Sequence, residues 1–518
     1  MKRLISVLLT VSVIISSLCM LPAYAHNNLI EFVCGLDAMA YFDTSSSTLT
    51  VKGTGDMCFF YDDIPWWAYR NKIKTVIIEE GITSVASVAF LDTDITKAVI
   101  ASSVETVAAD AFSMTDLEEI EFAPGSKLRE FYVTDYFRDT PWYKSQEDGA
   151  VYLGNMLLEY KGTMPANTSV TVKDGTYAIN TNAFFNNSNL VDITVPDSVE
   201  RIGNNAFYNT AWMNAQPYYE PVYLGKVLYF YNFPWRVINS SDIKEQLVIP
   251  EGIVSISSAA FSSHNVYKNI SLPKSLEHIG AEAFYSSHYL EGITVAQGSN
   301  LKYIDDIAFY GCRNLKGFDF PDSLERIGIN CFISCDNFRN VIIPAGVKSI
   351  GITAFEPNAL DSFTVSEDNP NFCTDENGIL YSKDKSTVYA SYQKLDAEEL
   401  TLPDTVTEIQ AQAFVTTTVK NFVLPAGVNK IGFEAFGESS VESINIPYSV
   451  QKINTRTFYS CSNLKEIEIP KSVKFIGDAA FGSCFALKKA IVPEEVRFIS
   501  DGAFEAEDGV TKIGRAHV

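Results

Sequence analysis

The sequence predicts a β-rich solenoid, a coil of stacked rungs, and the prediction comes from spacing. Phenylalanine recurs at Phe90, Phe112, Phe137, Phe184, Phe207, Phe261, Phe284, Phe309, Phe332, Phe355, Phe414, Phe436, Phe458, Phe481 and Phe504. Eleven of the fourteen intervals are 22 to 25 residues, and the other three are 47, 54 and 59. Alanine precedes twelve of the fifteen anchors, and isoleucine stands five residues ahead of twelve. A short alternating triplet supplies the β character: Ile467-Glu468-Ile469, Ile193-Thr194-Val195, Ile270-Ser271-Leu272 and Ile444-Asn445-Ile446. Period-two alternation puts two side chains inward and one outward.

The elements of one rung follow in order from Leu464 to Phe481. The strand comes first, and proline usually ends it (Pro196, Pro273, Pro321, Pro344, Pro425, Pro447, Pro470, Pro493), because proline cannot donate to a ladder. Val473, Ile476, Ala480 and Phe481 then fill the interior on the return path. After the return isoleucine comes glycine at 203, 280, 328, 351, 432 and 477, and asparagine at 180 and 454. Both residue types tolerate positive φ, so a turn or bulge is expected at this position.

The full pattern, Leu-x-x-Ile-x-Ile-Pro-x-Ser-Val-x-x-Ile-Gly-x-x-Ala-Phe-x-x-Cys, resembles the BspA-type bacterial leucine-rich repeat and covers nearly all of residues 70 to 513. The resemblance implies an exported or surface-displayed protein. It further implies binding to proteins of a host or neighbouring cell, extracellular-matrix components among them, and no catalytic residues.

The ends and insertions complete the organisation. Lys2 and Arg3, the apolar run Leu4 to Leu21 and the small-x-small site Ala23-Tyr24-Ala25 read as a signal peptide over residues 1–25. No other stretch approaches the length of a membrane span, so the mature chain is expected outside the cytoplasm, secreted or held at the cell surface. Residues 26–70 lack the repeat and are expected to form a small N-terminal β cap covering the open end of a solenoid over 71–513. Cys34 and Cys58 flank the cap's strand signals, and a disulfide between them suits an exported protein. The three long intervals read as β-hairpin islands at 138–168, 213–243 and 366–397. The final residues, 514–518, have the look of a non-native tail on a truncated reading frame, which leaves the targeting arm of a longer enzyme as an alternative to a free-standing binding protein.

Composition narrows the function. With 40 Lys plus Arg against 63 Asp plus Glu, the net charge is -23, which repels nucleic acid and anionic lipid. Five histidines leave little material for metal or acid–base chemistry, and no His-Glu-x-x-His, G-x-S-x-G or phosphate-loop motif occurs. No catalytic residue, metal site or cofactor is expected. Cys312, Cys335, Cys461 and Cys484 each follow an anchor by three residues and read as small apolar side chains at a tight corner. Asp375-Glu376-Asn377-Gly378 is better explained by a hairpin turn than by a calcium loop.

Two binding surfaces are candidates, for an extracellular protein or for a glycan. One is the outward stripe of the strands: Thr171, Thr194, Ser271, Thr294, Asp319, Thr364, Thr401, Asn445 and Glu468, with Val248, Ile342, Val423 and Ile491 as apolar exceptions. The other is the aromatic second island with Trp212, Tyr218, Tyr219, Tyr223, Tyr229, Phe230, Tyr231, Phe233 and Trp235. Coplanar exposed rings there would favour sugar binding, whereas rings buried against the rungs would return the weight to the strand face.

Overall fold

The computed structural model describes residues 24–26, 28–57, 64–232, 243–263, 266–355, 360–392, 395, 397–500, 502–505 and 513–515. The chain divides into two compact units, Met1–Asn232 and Phe233–Val518.

In the first unit, Leu29–Val33, Gly35–Asp43 and Thr48–Met57 form an antiparallel meander ahead of the repeats. Thr48–Met57 then pairs in parallel with Thr75–Ile78, which begins a parallel ladder through Lys97–Ile100 and Glu119–Phe122. Trp66 is fully buried, donates its indole N–H to the Ala89 carbonyl at 2.9 Å and stacks on Phe90 at 5.7 Å. Cys34 is buried where the first two strands meet, and Cys58 lies outside the described residues. Of the predicted signal peptide only Tyr24 and Ala25 are described, in a strand Tyr24–His26 that pairs with Leu29–Val33.

The second unit shows what a rung is. Its first side is the strand, as in the parallel register of Lys244–Val248, Tyr267–Leu272 and Gly292–Val295. The proline that ends a strand opens a turn: the Pro470 carbonyl accepts the Val473 N–H at 3.0 Å, and Pro273, Pro321, Pro344, Pro425, Pro447 and Pro493 do the same for the residue three ahead. The second side is a two-residue return strand, stacked in parallel through His278–Ile279, Tyr303–Ile304, Arg326–Ile327 and Ser349–Ile350. On the third side, where one anchor follows another without an island between, its N–H donates to the residue before the next anchor, Phe284 to Ala308 and Phe481 to Ala503 at 2.7 Å. Three ladders therefore satisfy the backbone without helices.

Along the middle runs a column of rings. Phe261, Phe284, Phe309, Phe332 and Phe355 stack at 5.2, 5.0, 5.2 and 5.6 Å, tilted from one another by 12° or less. A second run, Phe414, Phe436, Phe458, Phe481 and Phe504, repeats this at 5.0–5.5 Å.

The glycines after the return isoleucine correct an expectation. None of Gly203, Gly280, Gly328, Gly351, Gly432 and Gly477 has positive φ. They are small because the preceding rung lies against them: a Cβ on Gly477 would sit 2.4 Å from the Thr455 backbone nitrogen, and one on Gly203 2.3 Å from that of Thr181. The left-handed residues come two positions later, at Asn205, Glu282, Asn330, Thr353, Glu434 and Ala479, and again two past the anchor, at Asn209, Ser286, Ser334, Glu438 and Ser483.

Where asparagine replaces that glycine, its amide bridges to the neighbouring rung. Asn180 is buried and joins the backbone of Phe131, donating to its carbonyl at 2.7 Å and accepting its N–H at 3.0 Å. Asn454 donates to the Ile431 carbonyl at 2.5 Å.

The first two islands each open with a helical turn that the hairpin reading missed: Pro141–Ser145 capped by Thr140, and Ala211–Asn214 capped by Thr210. The signal was there in Thr140-Pro141, a cap followed by proline at the first helical position. Antiparallel hairpins follow, Gly149–Leu153 with Met156–Lys161 and Glu220–Leu224 with Val227–Asn232. In the first, Glu159 receives two bonds from the Arg138 guanidinium, at 2.9 and 2.6 Å, and one from the Tyr143 hydroxyl. The third island is a three-stranded antiparallel piece, Phe372–Thr374, Leu380–Ser382 and Thr387–Ala390.

Candidate functional site

The strand face is built by register. Parallel pairing sets Val248, Ser271 and Thr294 in one row, and the bridge between Ile293 and Phe318 brings Asp319 in beside Thr294. The same row continues in other rungs as Ile342 beside Thr364, Thr401 beside Val423, and Glu468 beside Ile491. In the first unit Thr171 lies beside Thr194. Most of these side chains are exposed, with Val248 at 65% and Ile342 at 63%. Two are already engaged. Asn445 exchanges both amide bonds with the Leu424 backbone, at 2.8 and 3.0 Å, and so extends the ladder past Ser443–Ile444. Ser271 accepts a bond from Gln246 at 2.7 Å.

Reading only the triplet missed a second outward row, two residues earlier on each strand. It holds the neutral Gln246, Asn269, Asn340, Ser362, Asn421 and Ser443, and the charged Asp192, Glu399, Glu466 and Lys489 in other rungs; Ser362 donates to Asn340 at 2.9 Å and Ser443 to Asn421 at 2.7 Å. Beside it runs a row of alternating charge. Glu245 pairs with Lys268 and Glu291 with Lys316 at 2.6 Å, and Glu398, Lys420, Glu442 and Lys465 continue the pattern in later rungs. The Lys316 ammonium holds the Glu291 carboxyl below its ordinary range. Such exposed pairs add little stability, but they keep the edge of the face neutral.

A notch of about 400 Å3 lies on this face between the rungs of Thr294 and Asp319, bordered by Gln297, Ser299, Asp322 and Ser323. Gly317 occupies the outward position just ahead of Asp319 and leaves its side-chain space open, whereas at Gly292 the Asn269 amide oxygen lies 2.9 Å from where a Cβ would be.

The aromatic island folds inward. Trp212, Tyr229 and Tyr231 are 9%, 4% and 1% exposed. Trp212 meets the anchor Phe207 edge-on at 5.0 Å, and the Tyr229 hydroxyl accepts the Phe207 N–H at 3.0 Å. These three rings are packing and offer no face to a sugar. Tyr218 is 60% exposed, and Phe233 and Trp235 lie outside the described residues.

The corner cysteines are more than small apolar side chains. Each thiol reaches the carbonyl of the previous anchor: Cys312 to Phe284 at 3.1 Å, Cys335 to Phe309 at 3.2 Å, Cys461 to Phe436 and Cys484 to Phe458 at 3.0 Å. Ser287 makes the same bond to Phe261 in its rung. Burial pushes the Cys312 thiol up to about 12 and holds Cys331 and Cys335 well above the ordinary range. These three thiols should therefore resist a disulfide reagent in the native protein and react at once in denaturant. Fast native labelling at any of them, located by peptide mass spectrometry, would contradict the buried corner. Among the histidines, His278 is buried and meets Asp305 of the next rung at 2.7 Å, while His264 lies outside the described residues. The Asp375 carboxylate accepts the N–H groups of Asn377 and Ile379 at 3.0 Å and the Tyr381 hydroxyl at 3.2 Å, as a turn-forming aspartate does.

Among the described residues no helix is long and apolar enough to cross a membrane. No curated protein matches the chain. Solved structures similar to it include the pneumococcal vaccine antigen PcpA, at 18% identity over 95% of this chain and 91% of that one, with a TM-score of 0.35. A leucine-rich cell surface protein of Faecalibacterium prausnitzii is 17% identical over 96% and 94%, with a TM-score of 0.36. A leucine-rich repeat protein of Bacteroides ovatus is 21% identical over 92% and 98%, also at 0.36. The model of the BspA type leucine rich repeat region matches residues 63–135, 161–217, 239–372 and 386–511, well over half of the sequence. With its three-sided rungs and stacked anchors, the chain belongs to the BspA-type leucine-rich repeat family.

Proposed function

We propose that this is a non-enzymatic protein, secreted or held at the cell surface, that binds an extracellular protein through its strand face. The observation that carries the reading is the exposure of Val248 and Ile342, with Val423 and Ile491 less so, on a face whose other outward residues are mostly small and polar. Large aliphatic side chains at outward strand positions contribute nothing to the rung, and on a binding surface they supply the apolar anchor points. The net charge of -23 argues against nucleic acid as the partner. A glycan remains the second reading only through surfaces other than Trp212, Tyr229 and Tyr231, which are inside.

The test is surface plasmon resonance of the purified mature chain against a panel of extracellular-matrix proteins and a glycan array. The triple variant Val248→Glu, Ile342→Glu, Ile491→Glu should weaken the strongest protein interaction by about tenfold or more. Phe485→Glu, on an exposed ring outside the strands, should leave it unchanged. Equal affinities for the wild type and the triple variant would place binding elsewhere on the molecule.

A further inference from the structure

From Gln246 to Thr364 the outward rows of the strand face are neutral but for one side chain. Across the rungs from Gln246 to Thr364 in the second unit, the two outward rows hold Gln246, Val248, Asn269, Ser271, Gly292, Thr294, Gly317, Asp319, Asn340, Ile342, Ser362 and Thr364. Asp319 is the single charged side chain in that stretch, and it stands at the notch. Asp322 borders the same notch, and both residues are exposed. Neither carboxylate has a hydrogen bond or ion pair among the described residues, although the glutamates along the edge of the face are matched to lysines of neighbouring rungs. Lys274 reaches the Gly298 rim, its ammonium 3.8 Å from where a Cβ would be, and still pairs with neither. Gly317 leaves its side-chain position open, with no atom within 4 Å.

We infer that the notch between Thr294 and Asp319 receives a lysine or arginine side chain of the partner protein. A partner laid on this face removes water from Asp319. An uncompensated carboxylate there opposes binding, whereas a guanidinium or ammonium placed between Asp319 and Asp322 restores the lost solvation and fixes the register of the complex. The hydroxyls of Thr294 and Ser323 and the Gln297 amide supply acceptors around such a group. The inference rests on the strand-face reading and adds the chemistry of one contact to it.

Saturation-transfer NMR with the purified mature chain tests it without knowledge of the partner. The probe is acetyl-Gly-Arg-Gly-amide, and acetyl-Gly-Gln-Gly-amide is the control. The arginine methylenes should receive saturation from the wild type. That signal should fall by about tenfold in the Asp319→Asn, Asp322→Asn variant and persist in Glu468→Gln, which changes a carboxylate elsewhere on the same face. Both substitutions are exposed and isosteric, and a circular dichroism melt confirms that the variants fold. An equal signal from wild type and double variant, or equal transfer to the glutamine peptide, overturns the inference. The outcome separates from that of the broader reading. Transfer lost in the double variant supports the notch even if no matrix protein binds. A matrix protein that binds through Val248 and Ile342 with undiminished affinity for the double variant retains the face and eliminates the notch.

Discussion

Gly477→Ala should destabilise the protein by about 1–3 kcal/mol, while Ala479→Gly, two residues on, should stabilise it by roughly 0.5–1 kcal/mol. The opposite signs follow from geometry. A methyl on Gly477 would lie 2.4 Å from the Thr455 nitrogen and 2.8 Å from the Asn454 carbonyl carbon. Those atoms belong to the backbone of the preceding rung, so relief requires two rungs to part and the bonds of the return ladder to lengthen. Ala479 has φ of 47°, where an L side chain crowds its own carbonyl and glycine does not. Urea unfolding of both variants checks the pair. If Gly477→Ala proves neutral, the rungs are not held at the spacing described; if Ala479→Gly destabilises, the left-handed turn before the anchor is wrong.

Phe458→Ala should cost about 3–5 kcal/mol, the range for emptying a buried aromatic site. Phe458 is fully buried between Phe436 at 5.4 Å and Phe481 at 5.2 Å, and its carbonyl accepts the Cys484 thiol. The cavity would open in the middle of the column, where neighbours held by three backbone ladders cannot close on it. Phe498 is the comparison. It also stacks, on Phe475 at 5.1 Å, but is 55% exposed, so Phe498→Ala should cost far less. Equal losses at the two positions, by thermal or urea unfolding, would mean that the column does not carry the stability assigned to it.

The parts of this fold legible in the sequence were those enforced at every rung. The anchor phenylalanine, the alanine before it and the return isoleucine repeat because each packs against its own image, and any mismatch leaves a void. Gly477 was visible but its purpose was not, because a residue can lack a side chain for its own φ or for a neighbour's backbone, and only coordinates separate the two. Asn180 shows the same limit: its amide completes the backbone bonds of Phe131, 49 residues away, across an insertion. The strand stripe was readable from period two. Its companion row from Gln246 to Ser443 was not read, because the strands run longer than the triplet. The second island misled because tyrosine and tryptophan count the same in a composition whether a hairpin turns them out or lays them on Phe207.

The row Glu245, Lys268, Glu291, Lys316 has a period of two rungs in a fold whose period is one. Removing the rung of Lys268 would leave every apolar layer matched, yet it would stack Glu245 on Glu291. Removing two rungs would restore the alternation. From Glu245 to Lys316, a change by two repeats keeps every charge opposite its partner, and a change by one costs roughly the few tenths of a kcal/mol that an exposed like-charge contact carries.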